Sequence, residues 1–231
     1  MVARVGILGA FSLVVNGNDV TISHSAERLL AALTLLGGRA HRSQIAGLLW
    51  ADHTEERALS NLRATMWRMP AATRDLIVRR GSALVAADEL TCDHHDSTVL
   101  ARRLLHGEIS PNFVDRTLLA GDVLPDFDED WLTVPRERHR QLRLHALEAL
   151  ARLDIDRDCP LDAVDTALVA VDAEPLRESA QKLLVHAHLA AGNRAAAVDQ
   201  FERFRTMLRD ELGVEPSTDL SDLVRSLIGQ R

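Results

Sequence analysis

Apolar and polar positions follow two different periods along this chain, and the changes between them mark its elements. Residues 4–22 carry two short apolar runs around Asn16-Gly17-Asn18-Asp19, a turn-forming sequence, and read as a β-hairpin. The period then lengthens. Leu29, Leu30, Leu33 and Leu36 recur at helical spacing over 25–36, and Gly37-Gly38 ends the run. Ser43 suits the N-cap of a short second helix carrying Ile45, Leu48, Leu49 and Trp50. A polar break over 51–54 leads to a third helix over 55–69, stopped by Pro70, which has no amide hydrogen for the helical ladder. Over 75–87 the runs Leu76-Ile77-Val78 and Ala83-Leu84-Val85 flank a turn at Arg80-Gly81-Ser82, a second hairpin. From Asp93 onward nearly everything reads as helix. The interruptions are Ile109-Ser110-Pro111-Asn112 and an acidic connector over 122–130.

Hairpin, three helices, hairpin is the plan of a winged helix-turn-helix, here over residues 1–90, in which the last helix enters the DNA major groove. Residues 91–231 read as a separate helical domain. That domain repeats internally. Aligning Asp158-Cys159-Pro160-Leu161-Asp162-Ala163 with Gly192-Asn193-Arg194-Ala195-Ala196-Ala197 sets an offset of 34, at which Ala163 matches Ala197, Ala167 matches Phe201 and Ala170 matches Phe204. Period and packing positions are those of a tetratricopeptide repeat, with Pro175 at its expected terminal position. The alternative is a pair of helical hairpins with coincident alanines; agreement of period and position favours the repeat. The expected fold class is therefore mainly α: an N-terminal winged helix-turn-helix with small β-hairpins, then a tetratricopeptide-like helical domain.

Charge changes the picture only when divided. The net −7 of the 231-residue chain argues against nucleic acid, but residues 1–87 hold ten arginines against six acids, a balance of +4. The remainder holds seventeen basic and twenty-eight acidic residues, a balance of −11. One end can approach phosphate; the other is repelled by it. Only Lys182 among the 27 basic residues is lysine, as in proteins of GC-rich genomes, so arginine abundance alone says little about phosphate binding.

On a wheel at ~100° per residue the third helix separates two faces. Leu59, Leu62, Met66 and Met69 share one side and read as core. Opposite lie Arg57, Ser60, Asn61, Ala64 and Arg68, with Arg63 and Trp67 on the flanks. Arginine bonds guanine bidentately and asparagine does the same to adenine, whereas arginine on phosphate positions without specifying. Small Ser60 and Ala64 let such a helix approach the groove floor. A solvated helix face is the bland alternative, and the helix's third place in a winged-helix order favours DNA. Trp67 either touches DNA or packs on the domain edge, and the flank position favours packing. Arg79 and Arg80 stand at the expected wing tip, where they either reach the minor groove or backbone or merely solubilise a hairpin.

Four stretches resemble one family. SAERLLAALTLLGGRAHRSQIAGLLW looks like the first two winged-helix helices, and ALSNLRATMWRMP like the third, of the actinobacterial antibiotic-regulatory activators with a bacterial transcriptional activation domain. LPDFDEDWLTVPRERHRQLRLHALEALARL is similar to the opening of that activation domain, and AVDAEPLRESAQKLLVHAHLAAGNRAAAVDQFERFRTMLRDELGVEPS to its tetratricopeptide core. The resemblance implies a transcription activator that binds direct repeats in double-stranded DNA near promoters, engages RNA polymerase and its sigma factor, and acts as a homodimer or larger assembly on DNA. Asn61, Arg63 and Arg68 fall in the family's third-helix pattern. Asp158-Cys159-Pro160 departs from it, standing where a glycine-containing turn is usual.

Other chemistry is absent or weak. Cys92-Asp93-His94-His95-Asp96 packs five potential ligands together, but at the opening of a helix where Asp93 or Asp96 suits a cap, so no metal is assigned. His186 and His188 point to different sides of a helix, and His139 and His145 are poorly spaced for shared ligation. Asp126, Asp128, Glu129 and Asp130 lack calcium-loop spacing and read as a solvated connector. No catalytic triad, phosphate loop or zincin motif is present, so no enzymatic activity and no cofactor are expected. Two cysteines, no apolar stretch near the ~20 residues that span a bilayer, and no signal-peptide cleavage motif point to the cytoplasm, with no membrane partner. A second reading stays open: a tetratricopeptide-type interaction module with weak or no DNA binding, in keeping with Glu55-Glu56 opening the third helix. A ligand-sensing repressor is a third, for which the sequence identifies no pocket.

Overall fold

The computed structural model describes residues 2–228. Contacts divide the chain into two compact units that interleave: Met1–Val99 with Ala120–His139, and Leu100–Leu119 with Arg140–Arg231. The units therefore do not coincide with a cut between residues 90 and 91.

In the first unit, β1 (Ala3–Gly6) pairs antiparallel with β2 (Ser12–Val15), and β2 with the two-residue β3 (Asn18–Asp19). This corrects the predicted N-terminal hairpin. The Asn16-Gly17 turn is present, with φ of 51° and 81°, but it joins β2 to β3. The long apolar run before it is itself two strands, reversed near Gly9, whose φ of 97° suits a residue without a side chain. Next come α1 (His24–Leu35), β4 (Arg39–His41), α2 (Arg42–Leu49) and α3 (Glu55–Arg68). A 3-10 turn over Ala71–Leu76 leads to the hairpin β5 (Ile77–Arg80) and β6 (Ala83–Ala86), and β7 (Leu90–Cys92) follows. β7 lies parallel to β1 and completes a sheet of order β3-β2-β1-β7; the second sheet has order β4-β6-β5. The small sheets and the three helices bury one apolar core, with Leu29, Leu30, Leu33, Ile45, Leu62, Leu76 and Leu84 at or near zero exposure. Each such side chain is worth roughly 1.5–3 kcal/mol when removed from water.

Residues 120–139 return to this core. Leu8 and Val123 form an isolated antiparallel bridge, Gly9 donates its amide hydrogen to the Asp122 carbonyl at 2.7 Å, and Leu124 to that of Ile7 at 2.9 Å. Val123, Leu124, Phe127 and Leu132 are buried with the winged-helix residues. Arg28 ties the segment down: it donates to Glu129 at 2.8 Å and to the Leu49 carbonyl at 2.5 Å, while Trp131 donates its indole N–H to Glu129 at 2.7 Å. The aspartates of the acidic connector face solvent as expected, but the apolar residues interleaved with them make it part of the core rather than a free connector.

Helices α4 (Asp93–Leu105) and α5 (Thr133–Asp156) contribute residues to both units. The second unit continues with α6 (Pro160–Ala173), α7 (Glu178–Ala190), α8 (Arg194–Leu212) and α9 (Thr218–Ile228). All six aligned repeat positions are buried: Ala163, Ala167, Ala170 and Ala197 wholly, Phe201 and Phe204 nearly so. The unusual turn before α6 is built without glycine. Asp158 takes a φ of 58°, a left-handed region that Asp tolerates better than most residues, and Pro160 opens the helix where its missing amide hydrogen is not needed. Buried Asp154 accepts two hydrogen bonds from Arg116 at 3.0 Å; burial nevertheless pushes its carboxyl above the usual value. Among the described residues no helix is long and apolar enough to cross a membrane.

Candidate nucleic-acid interface

Helix α3 starts and stops on local signals. The Thr54 hydroxyl accepts from the Arg57 amide at 3.4 Å, Glu55 and Glu56 occupy the first turn where the helix dipole favours acids, and Pro70 follows the C-cap. Its buried side consists of Ala58, Leu62 and Thr65, with Met69 just beyond, while Leu59 and Met66 are only partly covered. The predicted core face, centred on Leu59, Leu62, Met66 and Met69, is thus rotated by about 50° at ~100° per residue. Small Ala58 and Thr65 let the helix lie close to its neighbours along that line, so two of the bulkier residues move to the margin.

The rotation reassigns the outward face. Arg57, Ser60, Arg63 and Arg68 are exposed, and Asn61 and Ala64 are half-buried. Trp67 is not packed on an edge as expected; it sits near the middle of the exposed face with 80% of its surface in solvent. Trp67 thereby stands among the exposed arginines of this face.

The last hairpin turns at Gly81, whose φ is 63°, with Arg79 and Arg80 exposed at the end of β5. Within the described residues none of Arg57, Arg63, Arg68, Arg79 and Arg80 is paired with a carboxylate. Strand β4, which sequence reasoning missed, braces this wing. Across β6 its His41 stands in the same register row as Ala83 and Arg80. The Arg42 amide donates to the Ser82 carbonyl at 2.9 Å, and the Ser82 hydroxyl lies 3.3 Å from His41 Nδ1. Exposed Arg39 thereby joins the cationic residues of the wing sheet, with exposed His41 beside it. The exposed–buried–exposed order of Arg39-Ala40-His41 after Gly37-Gly38 was the available signal, too short to stand out.

The cluster around Cys92 is structural. The Asp93 carboxylate accepts from the His94 amide in the first turn of α4 at 2.7 Å and also from the amides of Ile7 at 2.9 Å and Leu8 at 3.1 Å, and so ties the start of α4 to the chain leaving β1. Burial, and then neighbouring His139 at 5.1 Å between ring centroids, pushes the His94 pKa down to about 4 against the pull of Asp93. Among the described residues no three His, Cys, Asp or Glu side chains converge as a metal site would require.

Comparison with known proteins agrees with this architecture. The bacterial transcriptional activator domain matches residues 116–228. The regulatory protein AfsR of Streptomyces coelicolor is 28% identical over 97% of this chain, and AfsR of Streptomyces griseus 26% over 92%. The chain spans only about a quarter of the length of either, 24% and 23%. The transcriptional regulatory protein MoaR1 of Mycobacterium tuberculosis is 26% identical over 97% of the chain and 78% of its own length. Among solved structures, Mycobacterium tuberculosis EmbR, in complex with a low-affinity phosphopeptide, superimposes with a TM-score of 0.71 over 99% of this chain and 65% of EmbR. At 17% identity that likeness establishes the fold. An activator domain preceded by a winged helix, with regulators as relatives across nearly its whole length, makes the chain similar to the actinobacterial antibiotic-regulatory transcription regulators.

Proposed function

We propose that the protein is a sequence-specific, double-stranded-DNA-binding transcription activator, with residues 1–90 on DNA and residues 91–231 as the activation domain. The observation that carries this reading is α3: held in the core by Ala58, Leu62 and Thr65, it presents Arg57, Ser60, Arg63, Trp67 and Arg68 to solvent. In the proposed complex α3 lies in the major groove, Arg63 and Arg68 contact base edges with Asn61 beside them, and small Ala64 allows close approach. Arg79 and Arg80 of the wing hold the backbone or the adjacent minor groove. Two or more protomers occupy direct repeats, and the activation domain recruits RNA polymerase and its sigma factor, as the resemblance to that family suggests.

The test is a gel shift on genomic fragments selected by the purified protein, comparing wild type with Arg63→Ala and Arg68→Ala. Loss of one bidentate base contact weakens specific binding by about 1–3 kcal/mol, and affinity falls steeply with salt as counterions are released. Variants that bind the selected fragments as tightly as wild type would remove α3 from the interface. The competing reading, an interaction module without DNA affinity, draws on exposed Glu55 and Glu56 beside Arg57. Their first-turn position is sufficiently explained by the helix dipole. It predicts no selected fragments at low salt.

A further inference from the structure

Helices α5 and α7 of the second unit wall a cleft of about 410 Å³. That volume lies within the roughly 300–1,000 Å³ of small-molecule sites. The wall combines apolar and charged groups. Ile155 and Leu183 form its apolar part, and Arg152 and Lys182 bring two cations to it. Lys182 is the only lysine in a chain whose other 26 basic residues are arginine, so the single compact side-chain ammonium stands at this cleft.

Neither cation is fully engaged. Glu148 next to the cleft already accepts from Arg177 at 2.7 Å and from the Ser179 hydroxyl at 2.5 Å. Arg152 reaches it only at 3.5 Å, with 56% of its side chain exposed. Lys182 meets Asp219 at 3.5 Å, and that carboxylate is 78% exposed. Contacts of this kind contribute little and are readily exchanged for a better anion. Burial opposes charge on Glu148, but the Arg177 and Ser179 hydrogen bonds, with the charges of Arg177 and Arg152, hold its carboxyl below the usual value. Burial, then Lys182, lowers His186 on the same wall, leaving a neutral ring with one donor and one acceptor.

We propose that this cleft binds a small organic monocarboxylate, its carboxylate bridged by Arg152 and Lys182 and its apolar body laid against Ile155 and Leu183. Arg152, Lys182 and neighbouring Arg177 are set against Glu148, Asp156 and Asp219, so the site offers directed donors without a net positive charge and favours a single negative charge over a phosphate dianion. A volume of about 410 Å³ suits a molecule of metabolite size. The inference is independent of DNA binding and its test contains no DNA.

Reductive ¹³C-methylation keeps the lysine charge and labels the full-length protein at Lys182 and the chain's amino terminus alone. Octanoate and phenylacetate are titrated against the Lys182 signal, with octanamide and inorganic phosphate as controls. The expected result is a saturable shift with a carboxylate, about tenfold weaker binding of octanamide, and a similar loss in Arg152→Gln, whose exposed side chain can be replaced without disturbing the core. Protection of Lys182 from amine acylation by the same carboxylate, in unlabelled protein, is the second readout. Only linear, non-saturating shifts with both carboxylates, an equal response to octanamide, tighter binding of phosphate, or an Arg152→Gln variant that binds like wild type would each overturn the proposal.

Discussion

Lowering the pH from about 7.5 to about 4.5 exposes the protein to the tension at His94, because an unfolded histidine takes up a proton there while the folded one resists. Its folded pKa is about 4 against 6.5 for an unperturbed ring. In that window the unfolded state binds more protons than the folded state, so stability rises with pH and is lost on acidification. The gap of about 2.5 units, at about 1.36 kcal/mol each, corresponds to ~3 kcal/mol, of which about 2–2.5 kcal/mol is lost by about pH 4.5. For a chain of this size that is a fall in Tm of roughly 5–10 °C. Carboxylates titrate over the same range, so the measurement is a double difference. Thermal unfolding is followed at both pH values for wild type and for His94→Gln, which has no titrating ring. His94→Gln should lose roughly 5–10 °C less than wild type on acidification. Equal losses would refute the buried neutral imidazole, and so would an NMR titration in which the His94 ring protonates near its ordinary value.

Three further outcomes follow from named contacts. Leu62→Ala, at 1% exposure in α3, should destabilise the first unit by about 2–5 kcal/mol in chemical denaturation, whereas Trp67→Ala, at 80% exposure, should stay within about 0.5 kcal/mol while weakening DNA binding in the gel shift. Gly121→Ala places a Cβ 2.9 Å from the Leu8 Cβ and 3.0 Å from its backbone carbonyl carbon, and should lower stability by about 1–3 kcal/mol; an unchanged denaturation midpoint would mean that residues 120–139 do not dock as described. Asp158→Gly relieves a left-handed residue before α6 and should be neutral or stabilising by up to about 1 kcal/mol, with a clear loss counting against the turn geometry.

The winged-helix order was legible because its signals are local. Thr54, the first-turn acids and Pro70 bound α3, Gly37-Gly38 end α1, and the Gly81 turn closes the last hairpin, each through neighbours a few residues apart. The repeat was legible for a related reason: its period returns the same packing demand to Ala163 and Ala197, to Ala167 and Phe201, and to Ala170 and Phe204. The candidate DNA-facing arginines were legible by type and spacing, and all of them lie exposed.

What local pattern left open was which partner each surface meets. The wheel of α3 admits a core centred on Leu59 and Met66 or one centred on Ala58 and Thr65; docking against the rest of the unit selected the second and turned Trp67 outward. Strand β7 is too short to announce itself and exists through parallel pairing with β1, from the other end of the unit. Residues 120–139 read as an acidic connector, yet Val123, Leu124 and Phe127 complete the first unit's core, and the Arg152–Lys182 cleft arises because α5 and α7 stand side by side. Caps, turns and periods act between residues close in the chain, whereas apolar burial is non-directional and satisfied by any complementary surface, so its outcome emerges when distant segments pack together.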